Sequence, residues 1–241
     1  MKTLGIIGGL GPLASAYLAE LMVRDCDVAC DQQHIDTIIY SHPSVPDRTA
    51  HILDKSKPSP VPEIVKAGLT LKAAGASCIA IPCVTSHYFY DEICKGIGLP
   101  VINMLQESAQ ALKSKKAKKV GILATSGTVS TGLFQNTLKE YGIDTVLPDA
   151  EHQAVVMHII YDCIKAGRPA SKTDFDRVCR HLTDKGADSF VLGCTELSLI
   201  SRDCVLDNRF VDALEVLAVS CLKKFGLPIK QDKRNTKCVD L

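Results

Sequence analysis

Two cysteines stand in matching contexts. Cys83 follows Gly75 by eight residues, and Cys194 follows Gly186 by eight residues. Each closes a short apolar run of the kind that forms a buried strand, and each is followed by a threonine one or two positions on (Thr85, Thr195). Pro82 stops the first run, and Thr85 and Ser86 can cap a following helix. A thiol at a strand end and a helix start meets the positive end of the helix dipole and free backbone N–H groups, and both favour the thiolate. Thiols suit proton transfer at carbon because they are soft and their pKa can be tuned. Two matched units suggest two half-domains offering one thiol each to a shared cleft. Such a cleft serves a reaction in which a proton leaves one face of a carbon and returns on the other. The plainer alternative, two buried structural cysteines, does not account for the matched contexts.

Arg48, after the Pro-rich loop Ser41-His42-Pro43-Ser44-Val45-Pro46-Asp47, and Lys165, at the end of a helical pattern, are candidate anion holders. Either can also be an ordinary surface cation, and a helix dipole favours Lys165 where it stands. Thr125, Ser126 and Thr128 lie in a turn where hydroxyls and amides bind a carboxylate or cap a helix. His87 lies one helical turn past Cys83 and either tunes it or packs. Gly9-Leu10-Gly11-Pro12-Leu13-Ala14 fits the dinucleotide-binding pattern. However, the second strand ends at Tyr40-Ser41 with no acid to hold a ribose, and Pro12 removes an N–H from the cradle. A tight strand-to-helix turn is the expectation instead. Cys26 and Cys30 lack two further ligands, so no metal site is expected.

The elements that must position these residues alternate. Strands are expected over 2–7 and 34–40, around 78–81 and over 99–102, and helices over 13–26 and 62–74. The run Lys113-Ser-Lys-Lys-Ala-Lys-Lys119 reads as a solvated boundary. Directly after it, Lys119-Val-Gly-Ile-Leu-Ala-Thr-Ser-Gly127 echoes Lys2-Thr-Leu-Gly-Ile-Ile-Gly-Gly9, a period of about 115 residues that marks an internal duplication. Helices are expected over 132–141, 153–166, 175–185 and 210–225, the last returning to the first half. The tail from Lys230 is expected to fray. The resulting fold class is α/β, with two pseudo-symmetric parallel-sheet domains and the active site in the cleft between them. Residues 1–112 plus 210–241 would carry the first cysteine, and 113–209 the second.

At 241 residues the chain has ample material for such cores. A net charge of +1 gives no reason to expect a nucleic-acid or membrane partner. No apolar run approaches the roughly 18–20 residues of a membrane helix. The apolar start resembles a signal peptide only superficially, because Gly8, Gly9, Gly11 and Pro12 break it. Eleven cysteines, an odd number without a Cys-x-x-Cys, fit a reducing cytoplasm.

These motifs together resemble the aspartate/glutamate racemase family, over essentially the whole chain. Gly5-Ile-Ile-Gly-Gly-Leu-Gly-Pro12 is similar to the family's opening motif, and Val45-Pro-Asp-Arg-Thr49 matches its Pro-Asp-Arg-Thr loop. Pro82-Cys-Val-Thr-Ser-His87 resembles Pro-Cys-Asn-Thr-Ala-His, and Leu192-Gly-Cys-Thr-Glu-Leu197 matches the second cysteine motif. Glu196 is similar to the aspartate racemase branch, where glutamate racemases usually carry His. The resemblance implies cofactor-independent racemisation of an acidic amino acid in a homodimer, with Cys83 and Cys194 as the two bases. Arg48 and Lys165 would hold carboxylates, and Thr85, Thr128 and Thr195 would add hydrogen bonds. Val84 replaces the family's Asn, which removes an amide able to bind substrate. That departure keeps open relatives acting on other diacids, such as maleate isomerases, and a two-lobed amino-acid-binding protein without catalysis.

Overall fold

The computed structural model describes residues 2–230. The first half runs β1 (Thr3–Gly8), α1 (Pro12–Asp25), β2 (Thr37–Ser41), α2 (Arg48–Leu53), α3 (Val61–Ala73), β3 (Ala76–Ala80), α4 (Tyr90–Ile97) and α5 (Met104–Ser114). The second runs β4 (Lys119–Leu123), α6 (Ser126–Ser130), α7 (Leu133–Glu140), β5 (Asp144–Val146), α8 (Ala150–Met157), α9 (Lys172–Asp184), β6 (Ser189–Leu192), α10 (Ser198–Asp203), β7 (Phe210–Asp212) and α11 (Ala213–Lys224). Two parallel sheets result, in the orders β2-β1-β3 and β5-β4-β6-β7. The inner strands β1, β3, β4 and β6 are almost wholly buried, as strands of a parallel sheet covered on both faces are, while β2 and β5 are partly exposed.

β1 and β4, the two echoing stretches, each lie between parallel neighbours. α11 packs against α1 and α5, so this helix closes over the first half. One core joins Leu4, Ile6 and Leu18 of the first half to Ile122, Phe134, Val191 and Leu217. A second core, including Ile7, Ile64, Ile79 and Ile93, fills the opposite face of the first sheet. The cleft residues therefore hang from strands anchored in continuous packing.

Four expected elements differ. The helix expected over 153–166 starts at Ala150 and widens into a π-helical turn over His158–Ile164, where the Lys165 N–H reaches back five residues to Ile160 O at 2.9 Å. The helix expected from Phe210 begins at Ala213, because Phe210–Asp212 pairs with β6 and Asp212 caps the helix through its carboxylate. The strand expected over 99–102 is a single parallel bridge, Ile79 to Val101. Neither cysteine opens an α-helix: Val84–Phe89 is a 3₁₀ turn, and Thr195–Leu197 is a turn ahead of α10. Of the tail expected to fray from Lys230, Lys230 itself is held, its N–H donating to Asp25 O at 3.0 Å, and the rest lies outside the described residues.

Candidate functional site

Cys83 and Cys194 line one narrow, nearly filled cavity of about 10 Å³ between the two halves. Of the other residues expected there, Arg48, Val84, Thr85, Lys165 and Thr195 share its lining. Thr128 does not line it. It is fully buried behind Thr85, with 3.0 Å between their hydroxyl oxygens. Leu10, Asp47, Thr49, Thr125, Tyr161 and Glu196 complete the wall.

Tight turns hold the cysteines. The Cys83 N–H donates to Ile81 O at 2.7 Å, and Ser86 N–H returns to Cys83 O at 3.2 Å. The Leu197 N–H closes the second turn on Cys194 O at 2.9 Å. These bonds leave the threonines free to reach across rather than cap. The Thr195 hydroxyl donates to Pro82 O at 3.1 Å, tying one cysteine turn to the other. Thr85 contacts Thr125 (3.1 Å) as well as Thr128, and the Thr49 hydroxyl donates to Thr125 at 3.3 Å. A buried hydroxyl cluster thus bridges the two halves. Gly127 permits it, since a Cβ there would lie 3.0 Å from Thr49.

His87 packs rather than facing the thiol. Its Nδ1 lies 3.0 Å from Cys83 O, and its Nε2 accepts the Met104 N–H at 3.2 Å, which assigns the proton to Nδ1. Burial pushes its pKa down, so the ring is neutral and fixes the backbone of the turn.

The charged groups are interlocked. The Cys194 Sγ–H donates to Glu196 Oε2 at 2.9 Å, and Lys165 Nζ donates to Glu196 Oε1 at 2.6 Å. Burial, reinforced by the Glu196 carboxylate, holds the Cys194 thiol well above its ordinary pKa. Cys194 therefore rests protonated. Burial pulls the Lys165 pKa down, but the Glu196 carboxylate beside it outweighs that and the net shift is upward. The π-helical turn places Lys165 at its end with the ammonium 5.6 Å from the Tyr161 ring centre, while the Tyr161 hydroxyl donates to Asp47 at 3.1 Å.

Arg48 opens α2, capped by the Asp47 carboxylate, which accepts the Ala50 N–H at 2.7 Å. Its guanidinium donates to Leu10 O (2.7 Å), Pro46 O (3.2 Å) and Val45 O (3.3 Å), and Nε is buried without a partner. Burial opposes its charge, yet Cys83, Asp47 and Glu196 beside it raise its pKa on balance. Arg48 thus holds the Pro-rich loop to the β1 turn with a donor left over beside Cys83.

The glycine-rich turn has a protein occupant. A Cβ on Gly11 would lie 2.9 Å from Glu196 Oε1, and one on Gly9 would collide with the His42 backbone. The space that a dinucleotide phosphate would need is taken by a carboxylate. Among the described residues, Asp149, His152 and His181 are close enough to hold a cation, but they lie outside this cavity. Their rings stack at 3.8 Å and 12°, so the two in-plane lone pairs do not converge.

Sequence reasoning did not single out Asp47 and Tyr161. Tyr161 precedes Lys165 by four residues, one helical turn, which was the available signal. Asp47 is the obvious N-cap before Arg48.

Two parallel α/β sheets that each deliver one thiol to a common, cation-lined cavity define a pseudo-symmetric two-cysteine α/β protein. The chain belongs to the Asp/Glu/hydantoin racemase family, whose model matches residues 7–221, and is by class an amino-acid racemase. It is 24% identical over 232 residues to the broad specificity amino-acid racemase RacX of Bacillus subtilis, covering 92% of this chain and 97% of that one. It is 28% identical over 155 residues to the glutamate racemase of Aquifex pyrophilus, covering 62% of this chain and 59% of that one. The solved structure of Picrophilus torridus aspartate racemase superposes with a TM-score of 0.80 at 29% identity, covering 95% and 96% of the two chains. The fold is also that of the Campylobacter jejuni glutamate racemase, at a TM-score of 0.61.

Proposed function

We propose that this protein racemises an acidic amino acid, aspartate or glutamate, without a cofactor, using Cys83 and Cys194 as the two proton-transferring groups. The observation that carries this reading is that both thiols line one small cavity beside Arg48 and Lys165. Cys194 rests as a thiol bonded to Glu196 and serves as the donor, so in the first direction Cys83 acts as the thiolate that removes the α-proton. The C–H pair stays on carbon as a planar carbanion, and the Cys194 S–H delivers its proton to the opposite face. The products are the other enantiomer, a Cys83 thiol and a Cys194 thiolate, and the reverse direction exchanges the roles.

Arg48 and Lys165 receive the substrate carboxylates, Thr85 and Thr195 add hydrogen bonds, and Thr128 acts through Thr85. Val84 contributes a wall and no polar contact. The reading carries with it a first domain of residues 1–112 plus 210–241 and a second of 113–209, one cysteine from each. It also carries a homodimer in the cytoplasm, in keeping with free thiols at every described cysteine.

The test incubates the reduced protein with L-aspartate, and separately L-glutamate, in D2O without cofactor. Loss of the α-proton NMR signal together with decay of optical rotation on either supports the reading. Intact signal and rotation on both overturn it.

A further inference from the structure

Four charged side chains face the cavity: Arg48, Lys165, Asp47 and Glu196. All four are committed to the protein's own groups. Arg48 spends its terminal nitrogens on the Leu10, Val45 and Pro46 carbonyls. Asp47 caps α2 and accepts from Tyr161. Glu196 accepts from Cys194 on one oxygen and from Lys165 on the other. Lys165, the cation a second substrate carboxylate would need, therefore already has a carboxylate on it. The fit is built in, because Glu196 is 5% exposed and its Oε1 lies in the space that a side chain at Gly11 would fill.

We infer that Glu196 is the specificity-setting internal counter-ion of Lys165, standing where a ligand's second carboxylate would bind and competing with it. This rests on the proposed racemase reading of the cleft. A monocarboxylate needs only one anion position and leaves the Lys165–Glu196 pair intact. A dicarboxylate must take Lys165 away from Glu196 and then sit beside the displaced like charge. Glu196 retains the Cys194 thiol, with the Thr195 hydroxyl 3.5 Å away, so it has partners when Lys165 leaves. The same carboxylate thus tunes discrimination between acidic and neutral ligands.

The test uses two inert ligands, succinate and butyrate, titrated calorimetrically into the reduced full-length protein. Neither is racemised, so the result does not depend on turnover, and failure of the racemase reading shows separately in the D2O experiment. Glu196→Gln keeps the shape and removes the charge. It is expected to bind succinate roughly tenfold or more tighter than the unaltered protein while butyrate changes little. Adding Lys165→Gln is expected to abolish the gain. Should Glu196→Gln not fold, Glu196→Asp, which retracts the carboxylate by one methylene, is expected to shift the succinate-to-butyrate ratio the same way. Unchanged or weaker succinate binding, an equal gain for butyrate, or no succinate binding in any variant overturns the inference.

Discussion

The Cys194 thiol donates to the Glu196 carboxylate at 2.9 Å, two residues along the same turn. This makes the two matched cysteines chemically unlike. Cys194 faces an anion that keeps its proton on, whereas Cys83 faces the Arg48 guanidinium. A pair duplicated in sequence is thereby given unlike surroundings, a carboxylate at one thiol and a guanidinium at the other.

Removing either thiol should stop racemisation. Cys83→Ser and Cys194→Ser are each expected to lower kcat/KM by roughly 10²–10⁴-fold, the usual worth of a positioned acid or base. Optical rotation reads the loss. Near-normal turnover in either variant would leave that cysteine without a role in proton transfer.

Alkaline stability follows from the raised Cys194 pKa. Its ordinary value is 9.0, and the folded protein holds the thiol well above that, so above about pH 9 the unfolded chain loses this proton while the folded one keeps it. The stabilisation is complete below pH 9 and is lost as pH rises toward the folded pKa. Cys179, pushed up to about 12 by burial, acts in the same direction. Thermal melts from pH 8 to 11 are expected to fall more steeply for the unaltered protein than for Cys194→Ser. Parallel curves would show that the two states bind this proton alike.

Gly11→Ala tests the contact between the glycine-rich turn and Glu196. The added Cβ would meet Glu196 Oε1 at 2.9 Å, and the carboxylate end must move off Lys165. The backbone of Gly11 is extended (φ −105°), so alanine itself is unstrained. Racemisation is expected to fall severalfold while Tm changes by only a few degrees, about the shift of 1 kcal/mol in a chain of this size. Unaltered kinetics would mean the ion pair has no bearing on turnover.

Thr85→Val tests the hydroxyl bridge. It removes the hydroxyl shared with Thr125 and Thr128 and leaves those buried groups one partner short. The expected cost is about 1–3 kcal/mol, read by denaturant unfolding. A loss confined to activity, with stability intact, would place Thr85 with the substrate rather than with the scaffold.

Much of the fold and of the site was legible along the chain. The alternation of buried strands and amphipathic helices, the repeated Lys-x-x-Gly strand starts at residues 2 and near 119, and the paired cysteine contexts are local patterns. Local patterns survive because strand burial and helix periodicity are set by near neighbours. The breaks came where tertiary partners overrode propensity. Phe210–Asp212 became an edge strand because β6 offered a ladder. The helix through Tyr161 widened where its residues reach Asp47 and Glu196.

The sequence by itself determined two α/β halves, one thiol at the end of a strand in each, and a nearby arginine and lysine. Only the tertiary structure decided how these groups are charged and spent. Arg48 binds three carbonyls, Lys165 is neutralised by Glu196, and Cys194 rests as a thiol. The physical reason is that protonation and ion pairing depend on burial and on distances of a few ångströms between residues remote in the chain. Lys165 and Glu196 are 31 positions apart, and Thr195 and Pro82 are 113 apart. No spacing rule along a strand or helix encodes those meetings.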